Sequence, residues 1–205
     1  MSVLEQNPRR RLEPDERREQ ILACGVRMFG ERPYAAVSTT DLAKEAGVAR
    51  GLINHYFGTK RDLYLAVVQK VAMVPEADNA EIASGSIAER ADVAVDWLLG
   101  VVDQLGRTWV AVMGAEGIGD DPDVRRILDE ADDAAAERVL DILGVSGGRH
   151  RSELRAMVRA YGGMVKGAVR EWVTQGSLTR RQVRILLTDS LVTLVEQTFP
   201  RATQG

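Results

Sequence analysis

Cysteine occurs once in the 205 residues, at Cys24, so no disulfide framework can hold this fold. Histidine occurs twice, as His55 and His150, and no histidine is paired with a carboxylate at metal-ligand spacing. The chain also lacks a nucleophile elbow and a phosphate-cradling glycine loop, and Cys24 has no evident histidine partner. These absences argue against an enzyme and against a metal or organic cofactor. No run of 18 uncharged apolar residues is present, and Arg9, Arg10 and Arg11 lead into a charged helix rather than an apolar signal region. A cytoplasmic protein without a membrane partner is expected, and the single cysteine is compatible with a reduced compartment. Period-two alternation is also missing, which sets the expected class as all-α.

The most informative segment is Ser38 to Phe57, STTDLAKEAGVARGLINHYF. Ser38 is a good N-cap and Asp41, three residues on, can reach back to its amide, so a capping box starts a helix at Thr39 or Thr40. Leu42, Ala43 and Ala46 form its inward face. Gly47 allows the sharp turn because it takes a left-handed backbone without a Cβ clash, and Val48 plugs the corner beneath. A second helix from about Arg50 to Tyr56 turns Ile53 inward and leaves Arg50, Gly51, Asn54 and His55 on other faces. Two short helices hinged at glycine make a helix-turn-helix, whose second helix enters the major groove by its N-terminal end. A plain helical hairpin is the competing reading, and the flanks weigh against it. Thr59 can cap a further helix carrying Lys60 and Arg61 in its first turn, where a phosphate would offset the unfavourable placement of cations against the dipole. Upstream, Asp15 to Met28 reads as an amphipathic helix with Ile21, Leu22, Gly25, Met28 and Phe29 inward.

The run from Arg17 to Val67, with RREQIL, STTDLA, AGVARGL and HYFGTKRDLY, resembles the N-terminal domain of TetR-family transcriptional regulators. The resemblance implies an all-α homodimer with a DNA-binding head and a divergent body that holds a small-molecule inducer. Carried over by position, it implies phosphate contacts from Thr39, His55, Tyr56 and Lys60 and base contacts from Thr40, Arg50, Gly51 and Asn54. Arginine can bind guanine and asparagine adenine as a two-pronged fork. Asn54 departs from the family, where an aromatic residue is more usual, and Pro33 stands where a glycine often follows the first helix.

The overall charge of −3 divides unevenly. Residues 1 to 75 carry 12 Lys and Arg against 9 Asp and Glu, and residues 76 to 205 carry 15 against 21. A basic head on an acidic body is sensible if phosphates are met only at one end. Residues 1–14 are expected to be a flexible basic arm, 15–59 the DNA-binding domain and 60–205 a helical ligand-binding and dimerisation domain, with about nine helices in all.

In the body, the large groups Trp97, Trp109, Met113, Tyr161, Met164 and Trp172, with Glu116 as an acidic anchor, are candidates for a ligand cavity. The last two long helices are candidates for the dimer interface. Gly163 and Gly167 would allow close helix approach, and Val183, Leu187, Leu191 and Leu194 draw an apolar stripe. Internal core, with the glycines bordering a cavity, is the competing reading of the same residues. The expected partners are a palindromic double-stranded DNA operator, a small-molecule effector and a second copy of the chain, and the expected function is a ligand-released repressor. A ligand-independent regulator, an activator, and a helical carrier or adapter without DNA binding stand as alternatives.

Overall fold

The computed structural model describes residues 13–73, 85–114 and 121–204. Every regular element among them is helical. The head is built from α1 (Pro14–Glu31), α2 (Thr39–Glu45) and α3 (Arg50–Phe57), with a 3₁₀ turn at Tyr34–Ala36. Next come α4 (Lys60–Ala72), α5 (Ile87–Leu105), α6 (Arg107–Met113), α7 (Pro122–Leu143), α8 (Arg151–Arg170) and α9 (Arg180–Thr193). A π-helical turn, Glu171–Gln175, extends α8. Another, Leu194–Thr198, carries α9 on to Phe199–Thr203. Counting that continuation with α9, the described residues form nine helices, as the sequence predicts.

Helix starts follow the local chemistry of the chain. Ser38 with Asp41, Thr59 with Asp62, Ser86 with Glu89 and Thr179 with Gln182 each form a reciprocal capping box, which satisfies two amides that a helix start leaves unpaired. Asp121 caps α7 by accepting from the amides of Asp123 and Val124, with Pro122 at the first helical position.

The head packs on the body through α4, which buries Leu63, Tyr64, Val67, Val68, Val71 and Ala72. One apolar cluster runs without a break from Ile21, Leu42 and Ile53 through α4 to Val112, Tyr161 and Leu187. At the end of α1 the backbone approach is very close. A Cβ on Gly30 would lie 1.9 Å from Thr108 Oγ1 and 2.8 Å from its Cα, so only glycine lets α1 meet α6 here.

Part of the acidic surplus of the body is paired with cations of neighbouring helices at the surface. Arg180 bridges Asp96 and Asp103, and Arg184 bridges Asp92 and Asp96, which ties α9 to α5. Lys166 pairs with Asp132 at 2.7 Å and Arg159 with Asp133 at 3.0 Å, joining α8 to α7. None of the described helices is long and apolar enough to cross a membrane.

Candidate functional site

The turn between α2 and α3 is a Schellman motif. Gly47 adopts φ +64°, its amide donates to Lys44 O at 3.2 Å, and the Val48 amide donates to Ala43 O at 2.9 Å. Leu42, Ala43 and Ala46 are buried on one side of the corner and Ile53 and Phe57 on the other. Gln20 of α1 donates to Ala46 O at 3.0 Å and so fastens the turn to the first helix. With these anchors fixed, Arg50, Gly51, Asn54 and His55 stand exposed along α3, and Thr40 is exposed at the start of α2. Thr39 and Tyr56 are half-buried, and the His55 and Tyr56 rings meet edge to face at 5.1 Å. Seven of the eight candidate DNA-contacting residues thus stand at the solvent side of α2 and α3.

The eighth, Lys60, is engaged inside the protein. Its ammonium donates to Tyr34 O and Val37 O, each at 2.9 Å, and sits 3.9 Å from the Tyr34 ring centroid. Two of the three N–H groups are therefore used to pin α4 to the link between α1 and α2. Its neighbour Arg61 reaches the other way. Nε donates to Asp121 Oδ2 at 2.8 Å, and Nη2 donates to Asp121 Oδ1 at 2.9 Å and to Asp123 Oδ2 at 2.6 Å. This clamp joins the first turn of α4 to the cap of α7, and the guanidinium holds the Asp121 carboxyl below its ordinary range. The expected misfit of two cations at a helix start is thereby met by carbonyls, by Asp62 and by the clamp, with no phosphate required.

Among the body candidates, Trp97, Trp109, Met113 and Tyr161 gather around two adjoining apolar cavities. One, of about 110 Å³, is lined by Trp109, Met113, Leu98 and Tyr161. Its neighbour, of about 90 Å³, is lined by Trp97, Ile142 and Leu191 and shares Leu98, Ala135, Val139 and Tyr161 with the first. Tyr161 donates its hydroxyl to Leu187 O at 3.0 Å, and burial pushes its pKa far up. Met164 is not part of this group; it lines an open groove between α8 and α9. Trp172 packs against the main core and lines neither cavity. Glu116 lies outside the described residues, as do Arg9, Arg10 and Arg11.

Three of the dimer candidates need a correction. Val183, Leu187 and Leu191 are fully buried within the chain itself, because that stripe of α9 faces α5 and α8 and fills the core. Of the predicted stripe only Leu194 reaches the α8–α9 groove. Gly163 and Gly167 meet no close helix of their own chain, since a Cβ on either would find no atom within 4 Å. Instead they border a second groove, of about 290 Å³, with Trp109, Met113, Lys166 and Arg170. On α8 and α9 the large apolar residues left in solvent are Ile185 (49% exposed), Leu186 (41%) and Met164 (36%); elsewhere among the described residues Met73 and Val93 are also exposed. In the sequence Ile185 and Leu186 already widen the apolar face of this helix beyond what one partner would cover, but the pattern does not say which side the chain itself covers.

A glycine-hinged helix pair with its polar second helix held outward, on an all-helical body, defines a helix-turn-helix transcription regulator. Residues 21–67 match the family described as "Bacterial regulatory proteins, tetR family", and residues 87–194 match "Tetracyclin repressor-like, C-terminal domain". The chain belongs to the TetR family.

Among curated relatives, the HTH-type transcriptional activator FasR of Mycolicibacterium smegmatis is 40% identical over 60 residues, 29% of this chain and 27% of that protein. The dual regulator CecR of Shigella flexneri is 35% identical over 81 residues, 37% of this chain and 36% of that one. Such matches span only about a quarter to a third of those relatives. Among solved structures, a tetR-family regulator from Streptomyces coelicolor superposes with a TM-score of 0.73 at 23% identity, covering 89% of this chain and 82% of that one. FadR from Bacillus subtilis, solved with stearoyl-CoA, gives 0.66 at 18% identity over 86% of this chain and 97% of that one.

Proposed function

We propose that the chain is a repressor that binds a palindromic operator as a homodimer and is released by a small-molecule effector in its body. The observation that carries this reading is α3. A buried Ile53–Phe57 edge and the Gly47 corner lock the helix, while Arg50, Gly51, Asn54 and His55 project from it into solvent. In this reading residues 15–59 form the DNA-binding unit and 60–205 the ligand-binding and dimerisation unit. Arg50 and Asn54 read base edges, and Thr39, His55 and Tyr56 meet phosphates. Lys60 orients the head and has one N–H left for a phosphate.

A second copy is assigned to the outer faces of α8 and α9. There Met157, Ala160, Met164 and Leu194 line an apolar groove of about 570 Å³, and Leu186 stands exposed near it. Two heads held about 34 to 36 Å apart can read successive turns of one face of a duplex. The effector occupies the paired cavities around Tyr161. Ala135 and Val139 of α7 line both cavities, and the cap of α7 holds Arg61, so a ligand that displaces α7 moves α4 and the head. A useful switch needs a coupling of roughly 1 to 3 kcal/mol.

Fluorescence anisotropy tests the reading. Purified protein is titrated onto DNA from its own promoter and onto scrambled DNA across a salt series. Tight, sequence-dependent binding with a steep salt slope is expected. Equal, weak binding to promoter DNA, scrambled DNA and a genomic fragment library would overturn it.

A further inference from the structure

We infer that the effector is an anionic amphiphile, an alkyl chain ending in a carboxylate, held across Trp109. The inference deepens the effector reading above and rests on it. It begins from one unsatisfied atom. Trp109 is 3% exposed, and its indole N–H is buried with no hydrogen-bond acceptor among the described residues. Buried N–H groups are nearly always paired, and leaving one unpaired is costly enough to need an explanation. A bound molecule that brings its own acceptor supplies one.

The surroundings of the ring say what else that molecule carries. On one side Trp109 lines the 110 Å³ cavity, whose walls are mostly alkyl and aromatic, with Asp132, Arg159 and Lys166 also on its lining, and which adjoins its 90 Å³ neighbour through shared wall residues. That side suits an unbranched apolar tail. On the other side the same ring lines the α6–α8 groove, where the missing side chains of Gly163 and Gly167 leave open space between Lys166 and Arg170. This side is more polar than the first and carries the two cations. Trp109, Met113 and Lys166 border both spaces, so they stand where tail and head would meet. A carboxylate there accepts from the indole N–H and faces two cations.

Lys166 already pairs with Asp132 of α7. An incoming carboxylate competes for that ammonium and loosens the α7–α8 tie. Binding would therefore act on the helix whose cap holds the Arg61 clamp.

The test uses calorimetric titration of the full-length protein with decanoate, decanol and decyltrimethylammonium. Decanoate is expected to bind more tightly than decanol by about tenfold or more, and the cation least. Trp109→Phe keeps an aromatic ring, though a smaller one, and deletes the donor, and should weaken decanoate by roughly ten- to a hundredfold, as for a hydrogen bond to a charged group. Arg170→Gln lies at the surface and tests the head-group contact without touching the core; it should weaken decanoate and leave decanol unchanged. Decanoate should also weaken binding to promoter DNA.

Equal affinity for carboxylate and cation, or wild-type decanoate affinity in both variants, overturns the assignment. So does the absence of decanoate binding in a protein that still binds its promoter, in which case the repressor reading stands and only the ligand class falls. If promoter binding is absent as well, the reading beneath it falls too.

Discussion

Asn54 lies one helical turn beyond Arg50 on the exposed side of α3, and what it reads can be measured alone. Asn54→Ala should flatten the preference at a single operator position by about 1 to 3 kcal/mol and leave binding to scrambled DNA nearly unchanged. Anisotropy on single-base operator variants checks this. Lys60 behaves differently because its ammonium holds the Tyr34 and Val37 carbonyls. Lys60→Met should lower urea stability by about 1 to 2 kcal/mol, the worth of charge-assisted bonds at a partly exposed site. It should also weaken binding to every sequence alike, because the head is no longer pinned. The capping residues were legible in the sequence, since Ser38 with Asp41 and Thr59 with Asp62 act within four residues of chain. The fate of Lys60 was not, because its acceptors lie 23 and 26 residues upstream and only the fold brings them together.

Among the elements, α4 is where head and body meet, and its two fastenings can be tested separately. Asp121 is held below its ordinary range mainly by Arg61, so near pH 4 the unfolded chain carries more protons at this site than the folded one. The clamp's contribution is present above the unfolded carboxyl value and is lost as pH falls through the depressed one. Asp121→Asn should therefore flatten the acid limb of a stability profile followed by circular dichroism, and should reduce the effector's hold over DNA binding. Two glycine substitutions should have opposite signs. Gly30→Ala drives a Cβ into the Thr108 backbone and should cost about 1 to 3 kcal/mol by overpacking. Gly167→Ala meets nothing and should stabilise α8 by about 0.5 to 1 kcal/mol. The glycine spacing at 163 and 167 was visible in the sequence. What it serves was not, because spacing records a missing side chain and not what fills its place.

For the whole molecule, the outward stripe of α8 and α9 is the prediction with the widest reach. Leu186→Glu should convert a dimer to a monomer in sedimentation, leave helix content intact, and abolish operator binding while each head remains folded. Val183→Ala on the same helix should instead destabilise the chain by about 1 to 3 kcal/mol without that selective effect, since its side chain fills a buried site. The fold class and the order of helices were legible because caps and turn residues act locally. The outer face of α9 was hidden because all its apolar positions look alike until the neighbouring helices are placed. One further use follows from Cys24, which is 3% exposed in the wall between α1 and α2, its thiol pushed up by burial. A reagent that alkylates thiols can reach it only when the head opens, so this chain carries an internal clock for its own fluctuations. When reclosing outpaces the chemistry, the labelling rate reports the opening equilibrium. Operator DNA, by binding only the closed head, should slow that clock in proportion to its occupancy.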